Sequence, residues 1–156
     1  MRKLMLLVAF IGLVGLVWAA DPAAGTWKLN VAKSRFATST QAPLKVQTLV
    51  IREVGDQSET TITGTRTDGS SISAKFTFPL QGGAVKYQQG GFAEGVSGIG
   101  TRIDTNTVLF TTIQNGRQIE TEQCAVSKDG KMMNCTAKGT DAKGKPFESL
   151  TVYDKQ

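Results

Sequence analysis

Asp68-Gly69-Ser70-Ser71-Ile72-Ser73-Ala74-Lys75-Phe76-Thr77-Phe78 carries both signals from which the fold of this chain is read. Asp68-Gly69 tolerates the positive φ of a tight hairpin loop. After it, Ile72, Ala74, Phe76 and Phe78 alternate with Ser73, Lys75 and Thr77, the period of a strand with one face buried. Five further turn signals follow the same logic: Gly82-Gly83, Thr105-Asn106, Asn115-Gly116, Asp129-Gly130 and Lys143-Gly144. Between them the segments are rich in Val, Ile, Thr and Phe, and almost nothing reads as helix. The chain is therefore predicted to be all-β, an antiparallel meander.

Strands are expected over residues 25–31, 46–54, 59–67, 71–78, 101–103, 108–113, 118–126, 132–138 and 147–153. Residues 32–43 lack a sustained period and read as a loop or a single helical turn. Residues 82–100 include seven glycines and the aromatics Tyr87 and Phe92. They read either as an irregular, bulged strand or as a flap over one end of the fold. About eight to ten strands in one meander hide their edges by closing, so a closed or nearly closed barrel is expected, with a sandwich as the alternative.

The first twenty residues have the form of an export signal. Arg2 and Lys3 precede an apolar or glycine run from Leu4 to Trp18, and Val17-Trp18-Ala19 offers small residues for cleavage after Ala19 or Ala20. The run is short of the roughly 20 residues of a spanning helix. No cysteine follows it, which argues against lipid anchoring. Residues 1–20 are thus assigned as signal peptide and 21–156 as one domain, exported to a periplasm or secreted, with no transmembrane segment after cleavage.

Composition removes several function classes. Losing Arg2 and Lys3 takes the net charge from +5 to +3, because all 13 acidic residues follow the leader. The remaining basic residues are scattered, so nucleic acid is not an expected partner. Histidine is absent altogether. The commonest general base and the commonest metal ligand go with it, and no enzyme, cofactor or metal site is expected.

Gly25-Thr26-Trp27, just after an export signal and opening a meander, resembles the Gly-X-Trp start of lipocalin (calycin) barrels. The stretch from Gly25 to Ser34 and the C-terminal stretch from Lys138 to Pro146 resemble small exported bacterial proteins described as lipocalin-like. The Thr-Asp-X-Tyr turn of lipocalins has no counterpart here. The resemblance implies a barrel whose tryptophan, Trp27, plugs the closed end under a basic residue near the last strand, where Lys155 stands. It also implies binding of a small apolar ligand in the barrel or at its mouth.

Register arithmetic supplies the candidate site. An even-length loop around Asp129-Gly130 pairs Val126 with Met133 and Cys124 with Cys135, within disulfide range. A bulged odd loop would instead oppose Gln123 and Cys135, and the apolar match of Val126 with Met133 favours the even one. An even loop over residues 141–144 sets Val152 beside Met133 and Leu150 beside Cys135. A two-residue Asn115-Gly116 turn sets Leu109 beside Glu122 and Thr111 beside Glu120. One inward face then carries Leu109, Glu120, Glu122 and Glu148, with the three glutamates either as an acidic ring at a barrel mouth, able to bind a hard cation, hold a cationic ligand or raise one another's pKa, or as a solvated rim. The aromatics Trp27, Phe76, Phe78, Phe110, Phe147 and Tyr153 are candidates to line a cavity or to fill the core, but Phe110 and Phe147 fall on the opposite face.

The candidate ligand-binding residues are Trp27, Phe76, Phe78, Tyr87, Leu109, Glu120, Glu122 and Glu148, beside a Cys124–Cys135 disulfide. The favoured function is an exported binding protein holding a small apolar ligand. The alternative is a filled barrel whose loops bind an envelope protein or glycan. The third reading is a histidine-free enzyme using the glutamates for proton transfer.

Overall fold

Asn115 and Gly116 have φ of 50° and 77°, the paired positive values of a type I′ hairpin turn. That turn is one of a series that folds the chain back on itself. The computed structural model describes residues 21–37, 42–91, 93–141 and 144–156; the predicted leader, Phe92 and Lys143 lie outside them. Eleven strands run in chain order: β1 Gly25–Leu29, β2 Leu44–Val54, β3 Gln57–Arg66, β4 Ser71–Pro79, β5 Gly83–Ala84, β6 Lys86–Gln89, β7 Val96–Asp104, β8 Thr107–Gln114, β9 Arg117–Val126, β10 Met132–Thr140 and β11 Pro146–Lys155. One 3-10 turn, Val31–Lys33, follows β1. Among the described residues no helix is long and apolar enough to cross a membrane.

All pairings are antiparallel, in one sheet ordered β5-β7-β8-β9-β10-β11-β1-β2-β3-β4-β6. The two ends of that order are consecutive in the chain. Ala84 pairs with Ile99 of β7, the Val85 N–H donates to the Gly98 carbonyl at 2.9 Å, and Tyr87 then pairs with Phe76 of β4. One short stretch thus bonds first to one edge and then to the other, and the meander becomes a nearly closed barrel. The irregular, bulged reading of residues 82–100 describes this seam.

The glycines serve the seam physically. Gly98 and Gly100 are buried, while Ser97 and Ile99 face out. A Cβ on Gly100 would meet the Phe78 ring at 2.7 Å, so its absence lets an aromatic from β4 pack against β7 across the gap.

Two buried clusters occupy the interior. Trp27, fully buried, packs with Leu49, Val126, Met133, Cys135 and Tyr153. Its indole N–H donates to the Ala23 carbonyl at 2.8 Å. Phe76, Phe78 and Val108 form the second cluster, with Phe110, Tyr87 and Ile62 against it. The N-terminal residues close the Trp27 end. There Asp21 pairs with Arg102 (2.5 Å), and the Asp21 backbone N–H donates to Glu53.

The register differs from expectation at two hairpins, by one residue each. Gln114 does pair with Arg117, but Ile113 pairs with Gln118 and Thr112 with Glu120. Ile119 is an extra residue, a β-bulge, and beyond it every side chain of β8 and β9 meets a different partner. Phe110 therefore stands opposite Glu122, and Leu109 opposite Gln123. At the second hairpin, Thr140 pairs with Pro146, so the connection has an odd length. Met133 accordingly faces Tyr153 and Cys135 faces Thr151, in place of Val152 and Leu150. The even register between β9 and β10 holds, with Cys124 opposite Cys135 and a disulfide between them.

Candidate ligand-binding lumen

A cavity of about 490 Å³ lies between the two core clusters. Its walls are the inward residues of the strands. Leu49, Ile51, Ile62, Phe76, Phe78, Val108 and Phe110 supply apolar surface. Gln47, Ser58, Thr60, Ser149, Thr151 and Tyr153 supply a polar stripe. Phe36, Pro43, Arg66, Asp141 and Phe147 stand where β3 and β10 end and β11 begins, which makes that end the mouth. Opposite it, the floor rests on Trp27, with the Lys155 ammonium 5.0 Å from the ring centroid.

Glu122 and Glu120 both line this space. Alternation along β9 sends Glu120, Glu122, Cys124 and Val126 to one side. Room for the carboxylates comes from small neighbours, Ala137 opposite Glu122 and Gly139 opposite Glu120. Neither glutamate makes a hydrogen bond or an ion pair among the described residues. Glu122 is enclosed by protein, and the surface it keeps faces the lumen. Burial pushes its carboxyl up to about 7, helped by the charge of Glu120. Burial also raises Glu120, which is nearer the mouth.

The neighbouring phenols respond to the same field. Tyr153 is raised by burial and then by the charge of Glu122, and its hydroxyl donates to Gln47 Oε1 at 2.5 Å. Tyr87 is raised by the same two causes in the same order. An anion in this lumen is thus poorly solvated and uncompensated, which costs free energy unless it is protonated or given a partner.

The Glu122 carboxylate and the Cys124 and Cys135 sulfurs lie within 4.8 Å of one another. Both sulfurs are held in the disulfide, so neither is a thiolate able to ligate a metal while the bridge is intact.

Of the residues singled out in the sequence, Phe76, Phe78, Glu120 and Glu122 meet in the lumen. Tyr87 packs on Phe76, with ring centroids 5.3 Å apart. Trp27 lies beneath the floor, not on the wall. Two expectations are corrected. Leu109 is on the outer face, because the Ile119 bulge exchanges it for Phe110. Glu148 is also outside, exposed and 3.4 Å from Lys138, because the odd β10–β11 connection turns it away. The acidic ring is therefore a pair.

Phe110 and Phe147, expected on the opposite face, line the lumen together with Tyr153, and Gln47 escaped the sequence reading. A broken apolar parity was the available signal. Ile119 is odd-numbered whereas Cys124 and Val126 are even, which a strand of constant period cannot place on one face. Fold and site together define an antiparallel β-barrel with a partly apolar, internally acidic lumen. In comparisons with known proteins, no family model and no curated protein sequence matches the chain.

Proposed function

We propose that this chain is an exported binding protein that holds a small, largely apolar molecule in its lumen. The observation that carries the reading is the cavity of about 490 Å³ with aromatic and aliphatic walls and a few inward polar groups. Ligand sites have volumes of about 300–1,000 Å³ and this mixture of linings. The large apolar residues that are exposed are spread out: Val46 and Val54 stand near opposite ends of β2, Ile99 and Ile103 on β7, and Val31 in the turn after β1. They favour the lumen over a protein-docking face.

Lys155 above Trp27 supports the lipocalin-like reading of the plugged end. Export is supported by the disulfide, which persists in oxidising compartments, and by the setting of Asp21. Cleavage after Ala20 would turn its backbone nitrogen, 2.6 Å from Glu53 Oε1, into an α-ammonium already facing a carboxylate. Intact mass of the protein recovered from an envelope or culture supernatant tests the export step.

A second reading has a specific observation in its favour. A carboxyl near neutrality beside another is what general acid–base chemistry requires, so proton transfer on a bound molecule is the alternative use of Glu122 and Glu120. Native mass spectrometry of the mature protein, against a denatured control, tests the main reading. A small molecule held in the native spectrum and released on denaturation is expected. An empty protein that also fails to take up the neutral apolar probe N-phenyl-1-naphthylamine would overturn it. Conversion of the released molecule by fresh protein would favour the enzyme.

A further inference from the structure

Three features of the lumen converge on one chemistry of ligand. The first is the unpaired state of Glu122 and Glu120, whose only neighbours across the ladders are Phe110, Thr112, Ala137 and Gly139. The second is the charge inventory of the walls. Among the described lining residues the cations are Arg66 and Arg102, and neither is ion-paired with Glu120 or Glu122. Arg102 is paired with Asp21 at 2.5 Å, and Arg66 donates to the Ala42 carbonyl at 2.8 Å. The other titratable groups facing Glu122 are Tyr87 from β6 and Tyr153 from β11, neither of which is a cation. The third is an aromatic cluster reaching the carboxylate. Phe110, directly opposite Glu122, is 6.1 Å from Phe76 and 5.2 Å from Phe78, ring centroid to centroid.

We propose that the lumen takes an amphiphilic organic cation, its ammonium or amidinium head against Glu122 and Glu120 and its apolar body along Phe76, Phe78 and Phe110. The inference rests on the lumen-binding reading above and goes beyond it in naming the ligand's charge. A buried carboxylate gains most from a partner that brings its own charge into the cavity, and electron-rich ring faces stabilise the same cation. A hard metal ion fits less well. It needs about six to eight oxygen ligands, the third acidic candidate Glu148 is outside, and the nearby sulfurs are bridged. An anionic amphiphile, such as a fatty acid, would place its head against two carboxylates.

Calorimetric titration with octylamine, octanol and octanoate, matched in chain length, tests the assignment. Octylamine is expected to bind roughly tenfold or more tightly than octanol, with octanoate weakest, the margin of one charge-assisted hydrogen bond. In Glu122→Gln the ratio of amine to octanol affinity should fall to about one. The wild-type preference should also shrink as pH falls through the range in which Glu122 takes up its proton. That arm holds even if the variant does not fold. Octanol binding as tightly as octylamine, or a preference that ignores pH, overturns the cation while leaving the lumen reading intact. Failure of all three to bind overturns both.

Discussion

Lys155 stands opposite Trp27 in the ladder between the last strand and the first, and its ammonium lies 5.0 Å from the indole centroid. The same ammonium donates to the Pro22 carbonyl at 3.2 Å, so one side chain ties the C-terminal strand to the plug and to the N-terminal segment. Lys155→Met keeps the stem and removes the charge. It should cost about 0.5–1 kcal/mol, read as a lower urea midpoint. Trp27→Ala, which empties the floor, should cost about 3–5 kcal/mol. Equal stability of Lys155→Met and wild type would mean that the stacked charge contributes nothing.

The bridge between Cys124 and Cys135 closes a short loop, a sequence separation of 11. Chain-entropy arguments give about 2–3 kcal/mol for a loop of this size. The double variant Cys124→Ala/Cys135→Ala should lose about that much. Thermal melting with and without reductant is the check. Reductant should lower the wild-type midpoint toward the variant and leave the variant unmoved.

Glu122 makes stability depend on pH in a direction opposite to most surface carboxylates. Its folded pKa, about 7, lies above the ordinary 4.5, so between those values the folded state binds more protons than the unfolded one. Stability contributed by this group is full below about pH 4.5 and declines as pH rises toward 7. The loss at pH 8 amounts to at most about 3 kcal/mol. Denaturation curves of wild type and Glu122→Gln across that range should diverge, the variant becoming relatively more stable as pH rises. Parallel curves would show that the carboxylate is solvated. A bound cation should flatten the wild-type curve.

Gly139 is where the β9 bulge presses on its neighbour. A Cβ there would meet the Ile119 carbonyl oxygen at 2.5 Å and the Glu120 Cα at 3.1 Å, both backbone atoms with little freedom to retreat. Gly139→Ala should therefore destabilise by about 1–3 kcal/mol through crowding. It should also displace Glu120 and so weaken amine binding. Calorimetry and chemical denaturation on the same sample read both effects.

Much of this architecture was legible along the chain. Alternation in Ile72, Ala74, Phe76 and Phe78, with glycine pairs between segments, is a local property and needs no knowledge of neighbours. The positions of Phe76 and Phe78 in the interior and the Cys124–Cys135 pairing followed from it. Glu120 and Glu122 could be assigned to the inner face because they share parity with Cys124 and Val126.

What failed was propagated from two single-residue slips. The apolar-inside rule misread β11, where Leu150 and Val152 face out and Phe147, Ser149, Thr151 and Tyr153 line the lumen. Val152 is only 3 % exposed because the segment after β1 packs beside it, with Asn30 donating to its carbonyl. The inner face is partly polar because it borders a cavity. By itself, then, the sequence determined most of the strands and the turn positions, since these depend on short-range periodicity and composition. Only the tertiary structure decided which glutamates share the lumen and that the lumen is hollow. A bulge at Ile119, an odd loop before Pro146 and the glycines at the seam act by shifting the relation between strands, which no single strand encodes.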